Sequence, residues 1–163
     1  GTTRNTIAAI RDFTGAAPRG WESPGLTETE EIADLLAEEG IEYVADWVLD
    51  DQPVEIATRA GPLVSIPYTV EINDVAVFAI QLHDSDVFAR RAIAQFDRLH
   101  AESAEITRVM AISVHPYLSG VPHRIGQLEA IYRHIAARSD VKMWTGAQIL
   151  DWYRNRKIVA RID

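Results

Sequence analysis

A chain of 163 residues, 47% of them apolar and 25% charged, has the length of one domain and the composition of a folded globular one. Its net charge of −8 argues against a nucleic-acid backbone as partner, and no apolar run is long enough to cross a bilayer. With no cysteine there is no disulfide, no thiolate nucleophile and no cysteine-ligated zinc, and a cytoplasmic location fits.

The spacing of Ile7, Ile10 and Phe13 predicts a helix over Thr2 to Thr14, with Gly15 at its C′ position. Ala17 to Gly25 reads as a short strand running into a Pro/Gly loop. Thr27-Glu28-Thr29-Glu30 has the form of a capping box. The helix after it carries Ile32, Leu35 and Leu36 on one face and stops at Gly40. Ile41 to Ala45 is a strand that delivers Asp46 and Trp47 at its end. Helix, strand, helix, strand predicts parallel strands joined by helical crossovers.

Val54 to Thr69 has no helical period and reads as extended segments around the turn Arg59-Ala60-Gly61-Pro62, an excursion from the alternating pattern. "SIPYTVEIND" alternates apolar and polar residues before a turn-like Asn73-Asp74. Val75 to Leu82 is either a strand or a short helix. A long helix begins at Ser85, capped by Asp84 or Ser85, with Val87, Phe88, Ala92, Phe96 and Leu99 as its stripe. Thr107 to Val114 is a strand leading to His115. His123 opens a helix with Ile125, Leu128, Ile131, Tyr132 and Ile135 inward. Val141 to Trp144 is the last strand, and Thr145 caps a last helix, Gly146 to Arg154. The tail from Lys157 is left open. There is no internal repeat.

Three predicted strand ends carry unusual residues: Arg19-Gly20-Trp21, Asp46-Trp47 and His115-Pro116, and a fourth ends in Trp144. In a parallel α/β protein, strand carboxyl ends share one rim, where catalytic groups collect. A histidine there can act as general acid or base. An aspartate on its ring would orient it and favour the protonated form, and an arginine can fix a carboxylate or hold an oxyanion. The competing structural reading is a loop histidine holding a turn, an Arg19–Asp46 ion pair and tryptophans in the core. His123, across a tight loop from His115, shares the rim on this reading. As a metal pair the two histidines have no evident third ligand.

The residues quoted, above all "RGWESPGLTETEE", "YVADWVLDDQP", "SIPYTVEIND", "ISVHPYLSGVPHR" and "WTGAQILDWY", resemble the polysaccharide deacetylase (NodB-homology) superfamily, within it the metal-independent allantoinase-like branch, from about Arg11 to Tyr153. The resemblance implies an α/β fold that is the C-terminal part of a distorted (β/α) barrel, residues 1–163 forming a single partial domain. It implies that Arg19 orients the catalytic aspartate, that Asp46 tunes the catalytic histidine, and that His115 protonates the leaving group. Trp21 lies in the aromatic part of the arginine motif, and Trp47 walls the substrate groove; Pro116, Tyr117, His123 and Trp144 complete the substrate side. Tyr43 stands where the family has an upstream aspartate.

The family's two earlier motifs, with the general-base aspartate and the metal-ligand histidines, have no counterpart here. No cofactor is therefore expected of this chain; a divalent metal such as zinc would need ligands from a further segment. The first expectation is hydrolysis of carbon–nitrogen bonds other than peptide bonds, in a small-molecule amide, a ureide such as allantoin, or an N-acetyl sugar. Backbone N–H groups or Arg19 would hold the oxyanion. An N-terminal segment or second chain would complete the barrel and supply the base, or the chain would pair with a further copy as a homo-oligomer. The alternatives are a non-catalytic half-domain that completes or regulates a split enzyme, and a small-molecule binding module.

Overall fold

The structure, a computed structural model, describes residues 2–160 and the side chains of residues 2–156. It divides into two units, residues 1–67 with 144–163, and residues 68–143.

In the first unit α1 (Thr2–Thr14) ends as expected, with Gly15 at φ 81° and its N–H on the Arg11 carbonyl. Four short strands follow: β1 (Gly20–Trp21), β2 (Tyr43–Val44), β3 (Val54–Ile56) and β4 (Leu63–Ser65), in the sheet order β1-β2-β4-β3. β1, β2 and β4 run parallel, and β3 lies antiparallel to β4. The stretch from Val54 to Thr69 is extended around a turn, as expected, and departs from the strand–helix alternation, with antiparallel β3 in place of a helical crossover between β2 and β4. The hairpin at residues 58–61 turns β4 back into the parallel set as its third strand.

Successive side chains of a strand face opposite sides. Leu63 and Val44 join Ile7, Leu36 and Ile41 in one core, against α1 and α2 (Ile32–Glu38). Val64 and Ile66 join Leu150 and Tyr43 in another, against α6 (Gly146–Ala160). β4 is buried at every residue, as a strand covered on both faces must be. Thr145 caps α6 reciprocally with Gln148: the Thr145 N–H donates to the Gln148 side chain at 2.9 Å and the Gln148 N–H to the Thr145 hydroxyl at 3.4 Å. The helix continues through the once-open Lys157 to Ala160, and residues 161–163 lie outside the described residues.

The box at Thr27 does not form. The Thr27 hydroxyl donates to the Pro24 carbonyl at 2.8 Å, and α2 starts only at Ile32. The predicted α1 stripe is only partly buried: Ile7 is in the core, but Phe13 is 93% exposed.

A close approach governs β1 and α6. A Cβ on Gly20 would lie 2.1 Å from the Tyr43 ring, and one on Gly146 would lie 2.6 Å from it. Tyr43 is therefore seated between two glycines, one of them its register partner across β1–β2.

In the second unit the ambiguous run becomes a π-helical segment, Val75–Ile80, followed by α3 (Ser85–Glu102) with Asp84 at its N-cap position. After a short α4 (Pro116–Ser119), α5 (Ile125–Ala136) packs on α3. Phe78, Phe88, Ala92, Phe96, Ile131 and Ile135 form the core, with Met110, Ile112 and Val141 against it. Residues 107–114 form no strand and pair through a single parallel bridge, Ser113 to Asn73. Val141 to Trp144 forms no strand. An extended run needs a neighbour to take its hydrogen bonds, and none does so among the described residues; the Val141 N–H turns back to the Arg138 carbonyl. His123 lies in the turn before α5, exposed, two residues ahead of its first residue. No helix of the described residues is long and apolar enough to cross a membrane.

Candidate active site

In the first unit the carboxyl ends of β1 and β2 lie side by side because Trp21 registers with Val44. Two residues beyond each strand stand Ser23 and Asp46. Asp46, 4% exposed, accepts hydrogen bonds from the Ser23 N–H at 2.7 Å and the Ser23 hydroxyl at 2.9 Å. The Trp21 indole N–H donates to the same hydroxyl at 3.2 Å. Glu28 completes the group, hydrogen-bonded to Asp46 and to the Trp47 indole. Burial pushes the Glu28 carboxyl up from its ordinary value, the charge and hydrogen bond of Asp46 push the same way, and the indole opposes them.

Arg19 has other partners. Its guanidinium makes two-pronged contacts, to Glu42 (Nε to Oε1 2.5 Å) and to Asp151 (Nη2 to Oδ1 2.7 Å), and Arg154 also pairs with Glu42. The hydrogen bonds of Arg19, then its charge, hold Glu42 and Asp151 below the usual carboxylate range. Arg19, which the resemblance expects to orient the family's catalytic aspartate, ties the start of β1 to α6, and Ser23 supplies the donors on Asp46. Trp144 stacks at 6.5 Å between ring centres on Trp152 and is 43% exposed.

In the second unit the Asn73–Ser113 bridge sets two chain segments side by side, and the residue after Asn73 is Asp74. Asp74 is fully buried. It accepts three hydrogen bonds, each 2.7 Å long, from the His115 N–H, the His115 Nδ1 and the Ser119 hydroxyl. Three donors converging on one carboxylate make Nδ1 the donating nitrogen. The other ring nitrogen, Nε2, has no partner among the described residues, and the imidazole is 37% exposed. Pro116 starts α4, whose first turn returns Leu118 and Ser119 N–H groups to the His115 carbonyl. Tyr117 stands edge-on to the ring at 5.6 Å.

His115 follows the Ser113 bridge by two residues rather than ending a strand, and the carboxylate on its ring is Asp74, a residue the sequence reading did not single out; Asp46, which the resemblance names as tuning the histidine, belongs to the other unit. Asn73-Asp74 reads as a turn because both residue types favour turns. The signal that could have found it is the one that selects Asp46: an alternating run ending in an acid. No three histidines, aspartates or glutamates among the described residues could hold a metal ion, and the Nδ1 of His115 is already engaged, so these residues alone do not fit a metal centre.

No family model matches the chain. The sequence is 28% identical to a Schizosaccharomyces pombe protein named as a polysaccharide deacetylase, over 90% of this chain and 51% of that protein. Its structure matches Puue allantoinase with a TM-score of 0.83 and 28% identity, covering 90% of this chain and 49% of that one. A protein of Pseudomonas aeruginosa PAO1 named as a polysaccharide deacetylase matches equally well, with a TM-score of 0.83 and 28% identity over 92% of this chain and 51% of that one. The chain thus has the mixed α/β fold of part of a distorted (β/α) barrel, and matches the C-terminal part of the NodB-like polysaccharide deacetylase superfamily. It spans about half the length of the relatives it matches.

Proposed function

We propose that this chain carries the general-acid half of a hydrolase for carbon–nitrogen bonds in a small amide, with an allantoin-like ureide or an N-acetyl sugar as substrate. The observation that carries this reading is the His115 imidazole, fixed through Nδ1 by buried Asp74 with Nε2 unengaged. A water oxygen bonds to the carbonyl carbon, the carbon–nitrogen bond breaks, and the His115 imidazolium, protonated at both nitrogens beside the Asp74 carboxylate, passes its Nε2 proton to the departing nitrogen and remains as the neutral Nδ1–H ring. The base that takes the water's proton comes from the half of the family domain that this chain does not span, as a further segment or a second polypeptide. Within the first unit Asp46, bonded to Ser23 and Glu28, ties the residues after β1 to those after β2, beside Trp21 and Trp47.

The test is hydrolysis of allantoin and of N-acetylglucosamine by the purified protein, with His115→Gln beside the wild type. The expected loss is about 10²-fold or more in kcat. An unchanged rate in His115→Gln sinks the assignment of the acid. The length match, half of each relative, favours a second reading, a non-catalytic partner of a split enzyme. Native mass spectrometry distinguishes the two, since an active species containing no other polypeptide excludes the partner reading.

A further inference from the structure

Ile72 and Ile112 belong to the core of the second unit, and the residues that follow them, Asn73 and Ser113, form the parallel bridge. His115, itself extended (φ −116°, ψ 125°), follows Ser113 by two residues, and its ring is bonded to Asp74, the residue after Asn73. The polar groups there form a directed chain. The Asn73 side-chain oxygen accepts from the Val75 N–H at 2.9 Å, which fixes the orientation of the amide. The Asn73 amide nitrogen donates to the Tyr68 hydroxyl at 3.4 Å, and the Tyr68 hydroxyl donates to the Ser113 hydroxyl at 3.0 Å. Ser113 is thereby an acceptor toward Tyr68, and its own proton has no acceptor among the described residues.

We infer that Ser113 is the donor that holds the substrate's carbonyl oxygen as it becomes an oxyanion, beside the His115 acid, with Tyr68 and Asn73 as positioning residues that aim it. The inference rests on the proposed hydrolytic reading. It replaces the arginine expected in that part, since the Arg19 guanidinium is committed to Glu42 and Asp151. A hydroxyl is worth most where its partner gains charge, so the contribution falls on the transition state more than on the bound substrate.

The test compares Ser113→Ala, Ser113→Thr, Tyr68→Phe and the Ser113→Ala/Tyr68→Phe double variant in hydrolysis of allantoin and N-acetylglucosamine. Ser113→Ala is expected to lower kcat about 10²-fold with KM within about threefold, and Ser113→Thr to restore most of the loss. Tyr68→Phe is expected to lower kcat about tenfold alone and to add nothing to Ser113→Ala, because the two act as one chain. A Ser113→Ala rate within threefold of wild type, while His115→Gln is inactive, overturns the inference and leaves the hydrolytic reading standing. If the wild type turns over neither probe, calorimetric titration with a methylphosphonamidate analogue of N-acetylglucosamine, whose tetrahedral anionic oxygen stands in for the oxyanion, decides. Binding that weakens at least tenfold in Ser113→Ala supports the donor. Equal binding overturns it, and no wild-type binding overturns both readings.

Discussion

Replacing Asp74 by Asn tests the His115 dyad with almost no change in shape. The carboxylate takes three donors at 2.7 Å, two on Oδ2 and one on Oδ1. An asparagine offers one oxygen. Placed where Oδ2 lies, that oxygen keeps the His115 N–H and the Ser119 hydroxyl, and the NH₂ group then faces Nδ1. One charge-assisted hydrogen bond disappears and two lose their charge, a cost of about 2–4 kcal/mol in a site with no access to water. The chemical effect is larger. An NH₂ facing Nδ1 turns that nitrogen into an acceptor, which removes the doubly protonated ring the proposed acid requires and leaves the weaker acid of a neutral Nε2–H tautomer. The corresponding change in serine proteases costs about 10⁴ in kcat, and a fall of about 10³–10⁴ is expected here. Urea denaturation reads the stability, allantoin and N-acetylglucosamine hydrolysis the rate, and ¹⁵N shifts of the ring nitrogens their protonation. If Asp74→Asn keeps the wild-type ring protonation and a rate within tenfold, the dyad does not orient the acid.

Glu28→Gln should stabilise the protein at pH 7 by less than about 1 kcal/mol, because the amide can donate to Asp46 and accept from Trp47 without a second charge. A carboxyl raised above 4.5 in the fold binds extra protons there, so its penalty grows as pH rises through the folded value; the gain from Gln should vanish below pH 4.5, and urea midpoints across pH 3.5–7.5 test this. Gly20→Ala, whose Cβ would meet the Tyr43 ring at 2.1 Å, should cost about 1–3 kcal/mol, and Tyr43→Ser in the same chain should recover part of it; additive losses in a double-mutant cycle would refute the seating of the ring.

The helices were legible because their apolar residues recur at a period that nothing else produces: α3 buries Phe88, Ala92, Phe96 and Leu99 as its stripe demands. The strands were harder, since each is two or three residues long, and a two-residue strand is defined by its neighbour rather than by its own pattern. Tyr43–Val44 was found because it follows a glycine-stopped helix. Val141–Trp144 has the same local character and pairs with nothing among the described residues. Arg19 was legible as a residue and not as a contact, because Glu42 and Asp151, 23 and 132 positions away, compete for the same fork.

The two buried aspartates show why position at a strand end does not by itself define a role. Asp46 and Asp74 both follow a parallel pairing, and both sit where strand carboxyl ends deliver residues. Their donors differ. Asp46 is held by the backbone and hydroxyl of Ser23 and meets the carboxyl of Glu28, so its hydrogen bonds fix the path of the loop after β1. Asp74 also takes a backbone N–H and a serine hydroxyl, but its third donor is an imidazole with a second nitrogen to offer. That third bond lets Asp74 set the orientation of a ring. Asp46 also meets a carboxyl, that of Glu28, whose other contact is the Trp47 indole; Asp74 holds an imidazole whose Nε2 is unengaged among the described residues, and that nitrogen is the one proposed to transfer the proton.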